Sequence, residues 1–155
     1  MLIVAPCVYV AAIVDASGAQ SRMTGTLSNM KNVGAGLINY AADFDNRFPA
    51  VDWQDAVLPY VKRPDFFTDR YRQREGGENG LAFNRPLLGA SLSSIPSPAS
   101  APMTYLTTQT GSNAVGDGTD VRFVDESTMI GFADGGVRRF LRTHFDPAVF
   151  TLKLQ

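Results

Sequence analysis

The chain carries one cysteine, one histidine and one tryptophan in 155 residues. A lone cysteine, Cys7, excludes an internal disulfide framework. With His144 as the single imidazole, a Cys/His zinc site is excluded as well. Charge is scarce: 19% of residues, with 14 basic against 15 acidic side chains. A balance so close to neutral argues against a nucleic-acid binder that works by bulk charge. No G-x-S-x-G nucleophile motif occurs, and no apolar run reaches the roughly 20 residues that a spanning helix needs. What remains is a length that suits one domain with a real core, and enough glycine and proline for prominent loops.

Residues 1–14 (MLIVAPCVYVAAIV) are uncharged, and no Lys or Arg precedes Arg22. Three readings of this apolar N-terminal segment stand side by side. It is a buried element of the domain, a secretory signal lacking the usual basic start, or the end of a longer membrane helix. Residues 15–155 read as a single globular domain.

Within it, Met23, Leu27, Met30, Gly34, Leu37, Ala41 and Phe44 recur at steps of four and three. This seam predicts a long amphipathic helix over about 19–45, widened by Val33 and Tyr40 and starting where Ser17 or Ser21 offers a cap. The Asp45-Asn46-Arg47 turn residues and Pro49 stop it. Gly34 and Gly36 each weaken a helix by about 1 kcal/mol relative to Ala, which makes sense only if something packs closely there, such as a sheet laid across the helix.

Asp52 is placed to cap a short helix from Trp53, with Asp55 in its first turn and Pro59 limiting its length. Residues 62–80 read as a polar loop in which Asp69 and Glu75 offset Arg70, Arg72 and Arg74. Apolar, β-favouring runs follow at Leu81–Phe83, Met103–Thr107, Val121–Val124, Met129–Phe132 and Val137–Leu141, with a turn-rich loop over 110–119. Phe132-Ala133-Asp134-Gly135-Gly136-Val137 is the strongest local signal: Asp-Gly between apolar strands predicts a hairpin, because positive φ is tolerated there. Asp146-Pro147 predicts a cap and first-turn proline that start a short C-terminal helix.

The acids Asp43, Asp45, Asp117, Asp120, Asp125, Glu126 and Asp134 give no spacing that sets two carboxylates across a cleft, so no catalytic site is expected. Asp117-Gly118-Thr119-Asp120 and Asp43-Asp45-Asn46 are oxygen-rich enough to be candidate calcium loops, with Asp117 and Asp120 the candidate ligands, although neither follows EF-hand spacing. No other cofactor is implied.

Leu27-Ser28-Asn29, Lys31, Gly34, Tyr40, Asp43 and Arg47-Phe48-Pro49 resemble the segment after the membrane helix in bacterial pilin-like and pseudopilin-like proteins with a prepilin-type cleavage/methylation N-terminus. In order along the chain, Trp53, Leu58-Pro59-Tyr60-Val61-Lys62, Leu81-Ala82-Phe83-Asn84, Ile95-Pro96-Ser97-Pro98 and Phe132 to Val137 resemble further pieces of that pattern, the last being its C-terminal H-x9-D-G type signature. The family's G-F-T-L-x-E processing site does not occur in this sequence. Val124 and Gly136 stand where the family often has histidines, and Thr26 and Thr68 stand near the places of a common cysteine pair.

The resemblance implies an α+β, pilin-like fold: a long N-terminal helix packed on a small antiparallel sheet of about four strands. It implies a non-catalytic subunit, a pseudopilin or minor pilin of a type II secretion or type IV pilus-like assembly. Its partners would be other pilin-like subunits, the secretion or pilus machinery and, before assembly, the inner membrane, on the periplasmic or extracellular face of the cell envelope. The alternative is a secreted or periplasmic ligand-binding module on the same scaffold.

Overall fold

A computed structural model describes residues 5–71 and 79–154, with side chains from residue 18 onward. The readings placed on the side chains of 1–14, and the Arg72, Arg74 and Glu75 part of the polar loop, lie outside the described residues. The order of elements is α1 (Ala5–Asp43), α2 (Trp53–Val61), β1 (Leu81–Asn84), β2 (Pro102–Leu106), β3 (Val115–Gly116), β4 (Ser127–Phe132) and β5 (Val137–Leu141), with short 3-10 turns between them. The fold is α+β, one long helix against a five-stranded mixed sheet of order β3-β1-β2-β4-β5.

Helix α1 has no break at the serines expected to start it. Its 39 residues run through Asp15 to Ala19 and make it about 58 Å long. It ends at Asp43, two residues before the expected stop, because Asp45 and Asn46 take left-handed φ values of 52° and 54° and reverse the chain.

The sheet differs from expectation in two places. Val121–Val124 is not a strand but makes isolated bridges, Thr107 to Val121 and Val124 to Ser127. The 110–119 loop, in turn, supplies β3, which lies parallel to β1 with Phe83 opposite Val115. The other pairings are antiparallel, and β4–β5 is the expected hairpin, with Gly131 opposite Val137 and Gly135 at φ 82°.

Strands β1, β2 and β4 are buried along their whole length, since both faces of the sheet are covered. Leu81, Phe83, Met103, Leu106 and Met129 face Met30, Val33, Leu37 and Ala41 of α1, with Trp53, Val57 and Val61 of α2 closing the same core. On the far face Ala82, Tyr105, Ile130 and Phe132 lie under Phe150, which the C-terminal segment folds back over the sheet. Asp146 caps that segment as expected, its carboxylate accepting from the Ala148 amide at 2.9 Å, but the helix expected there is only a 3-10 turn, Pro147–Phe150. Buried Asn84 holds it down by donating to the Phe150 carbonyl.

Candidate functional site

The seam of α1 is the feature from which the functional reading starts, and most of it lies where its spacing places it. Met30, Val33, Leu37 and Ala41 have no exposed surface, and Met23 and Leu27 pack at the margin of the same core. Gly34 lies beneath the signature hairpin: a methyl there would sit 3.7 Å from the Gly135 Cα, an ordinary contact. Gly135 needs its positive φ, and Ile38 closes over it, with Cδ1 3.1 Å from where a Gly135 side chain would begin. Of the hairpin residues, Gly135 meets α1 at the middle of its stripe and Val137 packs on the same core, whereas Phe132 belongs to the far face of the sheet and Asp134 is exposed. Asp134 plays a local part, accepting from the Gly136 amide at 2.8 Å.

Two expectations about the stripe need correction. Gly36 is required by α2 and not by the sheet, since a methyl there would lie 2.5 Å from Val61 Cγ2. Phe44 is not a core residue but 51% exposed, stacked on Tyr40 with ring centroids 4.3 Å apart. The helix has ended before it, and Phe48, beyond the turn, fills the core position against Phe83 instead.

The stripe is flanked by polar residues that spacing does not mark. Asn29, buried, donates to the Thr68 carbonyl at 3.4 Å, and the Thr26 hydroxyl accepts from the Arg70 amide at 3.1 Å. These bonds tie the 68–71 segment to the helix. In that segment Asp69, its side chain fully buried, takes Arg122 Nη1 at 2.7 Å. The pair joins the polar loop to the bridge-forming stretch 121–124. Its members are 53 residues apart, and nothing local to either predicts it.

The candidate calcium ligands are engaged elsewhere. Asp120 accepts from the Tyr105 hydroxyl at 2.6 Å, from Gln109 Nε2 at 2.7 Å and from the Thr107 hydroxyl. Burial alone would push its carboxyl up, but the donors on Thr107, Tyr105 and Gln109 outweigh it and hold the carboxyl below its ordinary range. Burial, and then the Asp120 hydrogen bond, push the Tyr105 phenol far up. Asp117 turns the other way, accepting from the Thr119 hydroxyl at 2.7 Å and from the Thr119 amide, which lower its carboxyl. In the second candidate loop Asp43 accepts from Tyr60 at 2.8 Å, while Asp45 and Asn46 form the turn after α1. Among the described residues no three His, Cys, Asp or Glu side chains converge.

The start of α2 is also held differently from expectation. Asp52 occupies the capping position with a left-handed φ of 42°, but its side chain caps nothing. The cap comes from Asn113, whose Oδ1 accepts from the Gln54 amide at 2.7 Å. Asn113 donates its own amide to Gln54 Oε1 at 3.0 Å and its Nδ2 to Asp55 at 2.6 Å. Trp53 Nε1 donates to the Ala114 carbonyl beside it.

A cleft of about 320 Å³ opens next to this junction, between Asp55, Phe67, Thr110 and Ser112. The buried amides in its lining, Gln54 and Asn79, bond to each other at 2.9 Å, and Asn79 also donates to the Leu81 and Gly111 carbonyls. They hold the loops together instead of facing the cleft as free donors. His144 stands exposed on a C-terminal turn next to the Thr143 hydroxyl.

Comparison of the chain with models of known families, with curated proteins and with solved structures finds no match.

Proposed function

We propose that this chain is a pilin-like structural subunit, a pseudopilin or minor pilin of a type II secretion or type IV pilus-like assembly of the cell envelope, and that it is not an enzyme. The observation that carries the reading is the unequal length of the two layers. Five strands at about 4.8 Å spacing make a sheet roughly 20 Å across. The stripe that this sheet and α2 cover runs from Met23 to Ala41, but α1 begins at Ala5.

The helix therefore continues for several turns beyond the core that accounts for its stripe, and the sequence of that continuation up to Val14 has no charge. Among the described residues no helix is long and apolar enough to cross a membrane. A helix of this composition finds its partners in lipid or in the same helix of neighbouring subunits. Gly34 and the Asp134-Gly135 hairpin, which meet here, both belong to the pieces that carry the family resemblance.

The lone thiol Cys7 lies on that continuation and makes the reading testable. In detergent-free solution, a bifunctional maleimide should join two full-length chains through Cys7, and detergent above its micellar concentration should abolish the product. A chain that stays monomeric without detergent and yields no covalent dimer would overturn the proposal. The alternative, a secreted or periplasmic ligand-binding module on the same scaffold, would use the cleft beside α2, where the engaged amides of Gln54 and Asn79 count against it.

A further inference from the structure

We infer that Arg22, Arg70 and Arg139 form a cationic collar around α1 where it meets the globular domain, and that this collar seats the domain on an anionic phospholipid surface. The inference rests on the reading that the upstream part of α1 is left for lipid or neighbouring subunits.

Three separate elements bring the arginines to one place. Arg22, on α1 itself, lays its guanidinium over the Tyr71 ring, 5.4 Å from the centroid. Tyr71 in turn donates its hydroxyl to the Ala19 carbonyl at 3.3 Å, which fixes the ring against the helix. Arg70 crosses the helix at Gly25, where a methyl would lie 2.9 Å from Nε. Gly25 leaves room for the arginine stem to run along the backbone.

Arg139 comes from the edge strand β5. It shares a strand face with Val137, which packs on the α1 side of the sheet, and it is exposed. Its charge reaches the same phenol: burial and Asp125 raise the Tyr71 hydroxyl, and Arg22 and Arg139 oppose them.

The described acids of this region are paired with other cations or stand beyond ion-pair distance of the three arginines. Asp69 pairs with Arg122 and Asp65 with Arg63; Asp125 and Asp69 both act on Tyr71, and Arg70 acts on Asp65 from beyond ion-pair distance. Among the described residues none of the three arginines has a carboxylate at ion-pair distance. Upstream of Arg22 the sequence has one charge, Asp15.

A helical segment with Asp15 as its one charge, leading into three guanidinium groups, combines the two signals that hold a protein at a bilayer. One is apolar burial; the other is attraction to anionic headgroups. Guanidinium is also the cation that pairs with phosphate through two parallel hydrogen bonds.

The test is co-sedimentation of the full chain with vesicles of phosphatidylcholine alone and of phosphatidylcholine mixed with phosphatidylglycerol. The collar predicts tighter binding to the anionic vesicles, with about five-fold lost per arginine neutralised, and loss of the excess at high salt. The triple variant R22Q/R70Q/R139Q should lose on the order of 100-fold on anionic vesicles while keeping the wild-type affinity for neutral ones. The triple Arg→Lys variant should retain most of the preference. Should the triple Gln variant not fold, Arg139→Gln alone changes one exposed side chain and should still cost about five-fold.

Equal binding of the wild-type chain to both vesicles, or a triple Gln variant that keeps the preference, would overturn the collar and leave the upstream helix as a lipid-binding element. Failure to bind either vesicle would overturn the collar and remove lipid from the partners of the helix. Displacement by inorganic phosphate at matched ionic strength would make this a site for a free anion and would end the membrane-surface assignment.

Discussion

Gly36 of α1 lies directly under Val61 at the end of α2, so close that a single methyl at position 36 would stand 2.5 Å from Val61 Cγ2. Two helix turns cannot approach this closely with any larger residue between them. Gly34, two residues away, has no such constraint, since a methyl there meets the Gly135 backbone at 3.7 Å.

The two glycines should therefore respond oppositely to the same substitution. Gly36→Ala should destabilise the protein by about 1–3 kcal/mol through overpacking against Val61. Gly34→Ala should leave stability unchanged or raise it by up to about 1 kcal/mol, the gain in helix propensity. Urea unfolding of both variants checks this, and a Gly34→Ala as damaging as Gly36→Ala would show that the hairpin sits closer to the helix than described.

The Asp69–Arg122 pair should be costly to break from one side. Asp69 has a fully buried side chain and Arg122 is 16% exposed, so Asp69→Ala takes a buried carboxylate away from a largely buried guanidinium. The expected loss is about 3–5 kcal/mol. Replacing both partners, Asp69→Leu with Arg122→Met, should recover part of it. Thermal melts of the single and double variants measure the difference, and a double variant as unstable as Asp69→Ala would mean that the pair is not the source of the loss.

Acid should weaken the fold at Asp120. Its carboxyl is held below the ordinary value in the folded state despite burial, by the donors on Thr107, Tyr105 and Gln109. A depressed folded pKa contributes stability that is present above the unfolded value near 4 and is lost as pH falls through the folded one. Wild-type stability should drop below about pH 4, and Asp120→Asn, already deprived of that contribution at neutral pH, should show a shallower acid limb. Tyr105 works at the other end. Its folded pKa is raised, by burial first, so its contribution is present below about pH 10 and is lost as pH rises through the folded value. Tyr105→Phe should flatten the alkaline limb. Denaturation midpoints across pH for the three proteins decide the matter.

The cap of α2 should be found across the chain from the helix that it caps. Asn113→Ala removes the acceptor of the Gln54 amide and should cost about 0.5–2 kcal/mol. Asp52→Ala should cost less, because the Asp52 side chain accepts no capping bond. Hydrogen exchange at the Gln54 amide gives a direct reading, faster in Asn113→Ala and unchanged in Asp52→Ala.

The parts of this fold legible in advance are those whose cause lies within a few residues. Steps of three and four placed Met30, Leu37 and Ala41 on one side of a helix, because 3.6 residues make a turn whatever the helix later touches. Asp134-Gly135 announced a hairpin because glycine takes positive φ without a side-chain clash. Strands β2, β4 and β5 were visible as β-favouring runs for the same local reason. The Asp69–Arg122 pair and the Asn113 cap left no such mark, and neither did the arginines gathered around Tyr71. Their members lie tens of residues apart, and their types are ordinary loop residues.

Local patterning alone was enough to specify a long one-sided helix, a tight hairpin at Asp134-Gly135 and an uncharged stretch over residues 1–14. What each residue does with its neighbours was set by packing between distant segments. That packing put Phe48 in the core and left Phe44 outside, turned Val121–Val124 into isolated bridges, and gave two residues of a glycine-rich loop a place beside β1. It also made Gly36, and not Gly34, the glycine that packing requires. Backbone preference acts over a turn or two of chain, whereas burial depends on which surfaces are brought together from distant segments.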